Sequence, residues 1–139
     1  MSLYEKFGTN KQKEVDGVWL EYGQNADGTK IRFLVARAGG RNQQFEKVAD
    51  FVYKPVRRRI KMEDIEPSEL RVLTQQIFAR AVVKDWSGVR DREGNELQFN
   101  EQNFLAVMGD LQDLWEDIKE FAETMSNYMV SSLEADAKN

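Results

Sequence analysis

Three oxygen-bearing side chains between residues 91 and 95 have the spacing of a calcium-binding loop. Asp91, Glu93 and Asn95 stand at every second position, as the first ligands of an EF-hand loop do. Gly94, however, lies two positions before the glycine that such a loop requires, and position twelve carries no bidentate glutamate. We therefore interpret residues 91–95 as a plain turn and expect no bound metal.

A run of basic residues near the middle of the chain has a composition found in nucleic-acid-binding patches. Arg57, Arg58 and Arg59 are consecutive, and Phe51 and Tyr53 lie a few positions before them. Basic residues with nearby aromatic rings are the usual footprint of such a patch. The whole chain nevertheless has a net charge of −4, which opposes binding to a polyanion. A small nucleic-acid-binding accessory protein that uses this segment is an alternative function, and nucleic acid is not the expected partner.

The sequence lacks the side chains and motifs on which most catalysis depends. It contains no histidine and no cysteine, which removes the commonest general base, the commonest metal ligand and thiolate chemistry. It also has no G-x-S-x-G, P-loop or G-x-G-x-x-G motif. We expect a protein that is not an enzyme, with no catalytic residue, no metal and no cofactor.

The charges along the chain are unevenly distributed. Residues 41–61 contain seven basic and two acidic residues, a net charge of +5, whereas residues 110–139 contain eight acidic and two basic residues, a net charge of −6. Either each segment is the solvated face of a helix, or the asymmetry directs association. For the second alternative, the predicted partner contacts in the basic segment are Arg57, Arg58 and Arg59.

Two β-forming runs near the N-terminus predict a hairpin. Residues 18–22 and 31–36 are rich in β-branched and aromatic residues, and Asp27-Gly28 supplies a turn between them. Trp19 lies in the first run and is predicted to be a buried structural anchor. Residues 1–14 show no periodicity, so we predict a flexible N-terminus there.

Two segments with helical periodicity follow the hairpin. Asn42 is predicted to cap the first. Pro55 should end or kink this helix near Lys54, because proline disfavours helix at and before its position. Pro67 occupies a first-turn position of the second helix, where proline is tolerated. The apolar stripe of this second helix extends to Ala81.

A compact bridge over residues 82–104 joins the second helix to the last one. After the turn at residues 91–95, the alternation of polar and apolar residues at 96–99 predicts a short strand. Asn100 is predicted to cap the final helix. The structural anchors predicted in the bridge are Trp86, Phe99 and Phe104.

The C-terminal segment carries the strongest helical pattern. Apolar residues from Phe104 to Met129 alternate spacings of four and three and form a broad apolar face. Gly109-Asp110 predicts a break or kink within it. We expect this face to pack on the preceding helices, while its methionines also suit an adaptable surface left open for a partner helix. The partner contacts predicted on it are Trp115, Met125 and Met129.

Together these elements predict an α+β fold that is mainly α-helical, with an N-terminal β-hairpin, helices, a short β-like bridge and a long broken C-terminal helix. We place one domain over residues 15–133, between the flexible N-terminus at 1–14 and a flexible tail at 134–139. No apolar run approaches the roughly 20 residues of a membrane span, and the N-terminal sequence lacks a signal-peptide core. We therefore expect a cytoplasmic protein without membrane contacts.

Several short sequences, taken in order, carry a family resemblance. They are VWLEYG at residues 18–23, a strand that ends in ARAGG, Asn42 at a helix start, the bridge VVKDWSGVRDREGNELQFNEQNF, and the closing SLEADAKN. In this combination they resemble the tail assembly chaperones of long-tailed, siphovirus-type bacteriophages. The chain departs from that pattern at Gly109-Asp110-Leu111-Gln112, where a proline is expected at the helix break.

The resemblance implies a function that composition and periodicity do not reach. Such chaperones bind the long helical tape measure protein, keep it soluble and help recruit tail tube subunits during tail morphogenesis. The resemblance therefore implies the tape measure protein and the tail tube protein as partners, with self-association into a helical coat. It also implies a location in the host bacterial cytoplasm and absence from the mature virion. The residues alone indicate a helical interaction protein.

Overall fold

The computed structural model describes residues 1–130, in which a three-stranded sheet is covered by helices. The strands are β1 (Val18–Gln24), β2 (Lys30–Val35) and β3 (Val83–Ser87). The α-helices are α1 (Leu3–Phe7), α2 (Lys11–Asp16), α3 (Gln43–Tyr53), α4 (Arg57–Lys61), α5 (Pro67–Ala81), α6 (Glu101–Asp110) and α7 (Gln112–Glu123). Short 3₁₀ turns occupy Lys54–Val56 and Met125–Tyr128. The predicted fold class, α+β and mainly helical, is confirmed.

The sheet contains the predicted hairpin and one strand that the sequence did not predict. Strand β2 is central and pairs antiparallel with β1 on one side and β3 on the other. The bridge was predicted to contribute a strand at residues 96–99, but that segment makes only an isolated pairing between Arg90 and Glu96. The actual third strand includes the exposed Lys84 and Asp85, so its local pattern does not indicate a strand. Its pairing with β2 decides its conformation.

The helix boundaries follow local sequence signals. Helix α3 gives way to a 3₁₀ turn at Lys54, one residue before Pro55, and α5 begins at Pro67, as predicted. The Asn100 side chain caps α6 by accepting a hydrogen bond from the backbone N–H of Asn103 at 2.8 Å. The predicted break falls at Leu111, between α6 and α7.

Asn42 has a different role from the predicted one. It precedes α3, but its side chain makes no capping hydrogen bond. Asn42 is buried, and its Nδ2 donates to the carbonyl oxygens of Arg37 at 2.8 Å and Ala81 at 2.9 Å. These two bonds join the segment after the hairpin to the end of α5. To make both bonds, the Asn42 amide must be buried between these two parts of the chain instead of lying at the surface of α3.

The core lies between the sheet and helices α5, α6 and α7. Its side chains come from all of these elements and include Phe33, Val35, Phe78, Val82, Trp86, Phe104, Met108, Trp115, Ile118 and Ala122. The broad apolar face of the C-terminal segment is therefore largely used inside the molecule. Within the described residues, no helix combines the length and apolar character needed to cross a membrane.

The four predicted structural anchors occupy different environments. Trp86 and Phe104 lie in the core, and Phe99 packs at its edge. Trp19 is 41% exposed, which corrects its prediction as a buried anchor. The guanidinium of Arg32 stacks over the Trp19 ring at 4.5 Å from the centroid. Side chains alternate between the two faces of the sheet along β1, and Trp19 and Glu21 lie on the face that is open to solvent.

Residues 1–14 contain α1 and most of α2, although the sequence predicts a flexible segment outside the domain. Glu14 is fully buried. Its carboxylate accepts hydrogen bonds from Arg37 Nη1 at 2.8 Å and Arg41 Nε at 2.9 Å. Thr9 pairs with Met129 in an isolated β-bridge. Ionic and backbone contacts hold this segment, so hydrophobic periodicity does not detect it. Residues 9–14 pack against the rest of the chain, and the predicted domain boundary at residue 15 therefore falls inside the packed structure. The predicted tail at 134–139 lies outside the described residues.

Candidate partner-binding groove

An open groove of about 930 Å³ lies between one end of the hairpin and the break between α6 and α7. Its apolar floor combines side chains from three separate stretches of the chain. They are Ile31 and Phe33 of β2, Val89 after β3, Val107 of α6 and Leu114 of α7. No single stretch could form this surface alone, because each contributes only one or two side chains.

The hairpin loop forms one wall of the groove because polar contacts fix it to the segment after β3. Asn25 Nδ2 donates to the carbonyl oxygen of Gly88 at 2.9 Å. Arg90 Nη2 donates to Asp27 Oδ2 at 2.8 Å. Hydrogen bonds from Arg90 and from the backbone N–H of Thr29 hold the pKa of Asp27 well below its usual range. The Asp27 carboxylate therefore remains charged, and the contact persists, at any ordinary pH.

Gly88 permits the close approach that this wall requires. Its φ is +73°, and a Cβ at this position would lie 2.2 Å from the carbonyl oxygen of Lys30. Both the left-handed backbone and the contact exclude any residue with a side chain. The chain can therefore leave β3 beside the start of β2 and bring Val89 to the groove floor.

The helix break forms the opposite wall and exposes an apolar side chain. Leu111 belongs to neither helix, with φ −119° and ψ 78°, and it is 53% exposed on the groove. On the same side, the Tyr22 hydroxyl donates a hydrogen bond to the Asp117 carboxylate and so joins β1 to α7. Burial and the neighbouring Asp117 raise the pKa of Tyr22. The hydroxyl thus stays protonated and keeps its donor role.

Charged side chains of both signs surround the apolar floor. The lining includes two basic and three acidic side chains, namely Arg90, Arg92, Asp91, Asp110 and Asp113. A second depression of about 640 Å³ shares Val107 and Leu111 with the groove, so the apolar surface continues around the end of α6. An apolar floor with a mixed charged rim is one kind of surface that can accept the apolar face of an amphipathic helix.

The turn at residues 91–95 occupies the edge of the groove and has the predicted conformation. Asp91 Oδ1 accepts hydrogen bonds from the backbone N–H groups of Glu93 at 3.0 Å and Asn95 at 2.8 Å. The carboxylate therefore organises its own turn. Across residues 1–130, no three His, Cys, Asp or Glu side chains are grouped so that they could hold a metal ion.

The structure does not bring the predicted partner contacts of the C-terminal segment to this groove. Trp115 is only 1% exposed and packs edge-to-face on Phe78 with ring centroids 4.9 Å apart, which corrects its prediction as a partner contact. Met125 and Met129 are half-buried in and after the last 3₁₀ turn. Met129 lies beside the N-terminal segment, where its carbonyl oxygen accepts a hydrogen bond from Lys13 Nζ at 2.9 Å.

The three predicted arginine contacts are exposed on α4, away from the groove. Arg57 forms an ion pair with Asp50. Arg59 forms a bidentate pair with Glu69 at 2.7 and 3.1 Å. The hydrogen bonds with Glu69 raise the pKa of Arg59 and lower that of Glu69. Two of the three positive charges therefore already have carboxylate partners, which weakens the positive potential that a polyanion would meet.

The groove residue that sequence reasoning missed most clearly is Leu111. The break at Gly109-Asp110 was predicted, and an apolar residue directly after a break cannot belong to the buried stripe of either helix. That combination is the signal that could have identified Leu111 as a surface contact. The contribution of Tyr22 and Ile31 to the same groove depends on the tertiary fold and has no local signal.

Comparison with known families assigns the chain to a group of phage proteins. The family model of the YdaY prophage protein matches residues 40–139, which is more than half of the chain. The chain belongs to the YdaY prophage protein family. Membership indicates a phage-derived protein. In this YdaY-family chain, α6, α7 and the segment after β3 lie within the matched residues, whereas the hairpin lies outside them. The search of curated proteins and the search of solved structures each give no match.

Proposed function

We propose that this chain is a phage tail assembly chaperone. In this proposal it binds an amphipathic helix of the tape measure protein, keeps that protein soluble and helps recruit tail tube subunits. The observation that carries the proposal is the groove beside Leu111. Membership of a prophage protein family supports a phage role, and the resemblance of the hairpin and bridge sequences to tail assembly chaperones supports the role in tail assembly.

The chemistry of the groove is suited to helix binding. Apolar side chains at positions i, i+3, i+4 and i+7 of a partner helix would be buried on Ile31, Val107 and Leu114, and polar residues beside them would face the charged rim. Burial of apolar surface contributes roughly 25 cal/mol per Å² and depends little on sequence detail. Such a site can therefore bind many similar segments of one long helical protein.

The proposal includes the cellular context of the chaperone. Binding would take place in the host bacterial cytoplasm before the tail is complete, and the chain would be absent from the mature virion. The proposed role consists of association by apolar burial, with no cofactor and no enzymatic activity. The tape measure and tail tube proteins would be its partners.

Co-expression with the tape measure protein of the same prophage tests this function. The tape measure protein is expected to be largely insoluble alone, because its long apolar stripes have no partner. With the chain present, its soluble fraction should rise several-fold, and purification of the tape measure protein should recover the chain in molar excess. The measurement is the soluble fraction and the molar ratio of the two proteins after affinity purification.

A co-expressed soluble protein of similar size that lacks this groove serves as the control for general effects of co-expression. The proposal would be contradicted if the control raised the soluble fraction of the tape measure protein as much as the chain did. Failure of the chain to co-purify would contradict it as well.

A further inference from the structure

Helix α1 presents an apolar face that none of the other described residues, 8–130, covers. Leu3, Tyr4 and Phe7 are between 63% and 90% exposed, and α1 contains no buried residue. At 100° per residue, the three side chains fall within about 100° of the helix circumference, which is the width of an amphipathic stripe. Ser2, the residue before α1, caps it by accepting a hydrogen bond from the Glu5 N–H at 3.2 Å.

The position of α1 keeps it away from the groove of its own chain. Tyr128 holds the chain after α1 beside the end of the hairpin where Val18 of β1 pairs with Val35 of β2. The Asn10 N–H donates a hydrogen bond to the Tyr128 carbonyl oxygen, and the Tyr128 hydroxyl donates one to the Val35 carbonyl oxygen. The groove lies at the other end of the hairpin, beside Tyr22. From Val18 to Tyr22, the first residue of β1 that lines the groove, the strand rises by roughly 13 Å.

The length of α1 does not bridge that separation. Its five residues extend for only about 8 Å. No residue of α1 lines the groove. Within residues 1–130, one copy therefore carries an uncovered apolar helix at one end of the hairpin and an uncovered apolar groove at the other.

The charges around these two surfaces are complementary. Residues 1–13 contain three lysines and one glutamate, a net charge of +2. Residues 110–123 begin with the five residues that form the helical wall of the groove. They contain six acidic residues and one lysine, a net charge of −5, and the five charged side chains that line the groove itself sum to −1. This difference favours the N-terminal segment of another copy as the occupant and orients its approach.

We propose that α1 of one copy docks in the groove of the next copy, so that the chains associate head to tail. The contact joins different surfaces of the two copies and is heterologous, and a heterologous contact that does not close produces an open filament. The proposal deepens the proposed function and rests on it for its biological role. A second copy and the tape measure helix would compete for one groove, so free chaperone would be self-associated until its partner is made.

The test uses three single variants of the purified full chain. Phe7→Glu places a charge on the docking face of α1, and Leu111→Glu places one in the groove. Val72→Glu changes an apolar residue of α5 that is 46% exposed and lies outside the groove, and it serves as the matched control. All three positions are exposed, and thermal melting checks that each variant keeps the fold.

Sedimentation velocity at concentrations on the order of 100 µM gives the readout, because a contact of this size belongs to the weak class of interfaces. Wild type and Val72→Glu should sediment as assemblies that grow with concentration. Phe7→Glu and Leu111→Glu should each sediment as monomers. Their equimolar mixture should form a dimer and grow no further, since the intact α1 of one variant fits the intact groove of the other and the two remaining surfaces are blocked.

A wild type that stays monomeric would overturn the docking proposal, and so would a mixture that stays monomeric. Assembly of either blocked variant at the wild-type level would also overturn it, as would loss of assembly in Val72→Glu. The proposed function is tested separately. If the wild type is monomeric but still solubilises the tape measure protein, only the self-docking proposal is contradicted. If the chain self-associates but does not solubilise that protein, only the chaperone proposal is contradicted.

Discussion

Replacement of Trp86 by alanine is expected to lower the free energy of unfolding by about 3–5 kcal/mol, the usual cost of removing a large buried aromatic side chain. Trp86 packs edge-to-face on Phe33 at 5.7 Å and on Phe99 at 5.2 Å between ring centroids. Its Nε1 donates a hydrogen bond to the carbonyl oxygen of Leu97 at 2.8 Å. The indole therefore joins the sheet to the irregular segment before α6. Urea unfolding monitored by circular dichroism measures the effect.

Trp19→Ala is the matched control for this prediction. This variant removes the same side chain as Trp86→Ala, but from a partly exposed position. The main contact of the Trp19 ring is the cation–π interaction with Arg32. We expect a cost of about 1 kcal/mol, as for an exposed contact of this kind. A Trp86→Ala cost no larger than that of Trp19→Ala would show that the indole of Trp86 does not hold the bridge in place.

Replacement of Glu14 by alanine is expected to cost about 3 kcal/mol, the lower end of the range for breaking a buried ion pair. The variant leaves Arg37 and Arg41 without the carboxylate that each contacts, and it leaves the Thr9 hydroxyl without its acceptor at 2.9 Å. The cost lies at the lower end because Arg41 remains half exposed and keeps part of its hydration. Glu5→Ala, at an exposed position of α1, should change stability by no more than about 0.5 kcal/mol.

The contribution of Glu14 should depend on pH. Burial alone raises the pKa of this carboxyl, but hydrogen bonds from Arg37, Arg41 and Thr9 together outweigh burial, and the pKa lies below its usual value of 4.5. The stabilisation is therefore fully present above about pH 4.5 and is lost as the pH falls through the lowered pKa. The stability difference between wild type and Glu14→Ala should shrink in that acidic window. A difference that is constant from pH 7 to pH 3 would contradict the ionic account.

The parts of the fold that the sequence predicts correctly depend on local signals. Pro55 and Pro67 set helix boundaries through the ring and the missing N–H, and Asn100 caps α6 through its own side chain. The hairpin follows from two β-forming runs around a turn. Strand β3 has no such signal, because its conformation depends on pairing with β2, which lies about 50 residues earlier in the chain.

The candidate site could be predicted only in part, because it is assembled from distant segments. The helix break beside Leu111 was foreseen, but the other wall consists of a hairpin loop that Arg90 and Gly88 hold in place. Trp115 was assigned to the partner surface because a stripe pattern cannot distinguish a face buried on its own chain from one left open. Buried Glu14 escaped detection because patterns of apolar residues contain no information about buried carboxylates.

The measurement that tests the central claim most directly compares Leu111→Glu with Val72→Glu in binding to the tape measure protein. Leu111 lies on the groove and Val72 lies outside it, while both are about half exposed. A charge buried in an apolar contact costs more than 1.4 kcal/mol, so Leu111→Glu should weaken binding at least tenfold. Val72→Glu should bind as wild type does. Unchanged binding of Leu111→Glu, or an equal loss in both variants, would contradict the assignment of the groove as the partner site.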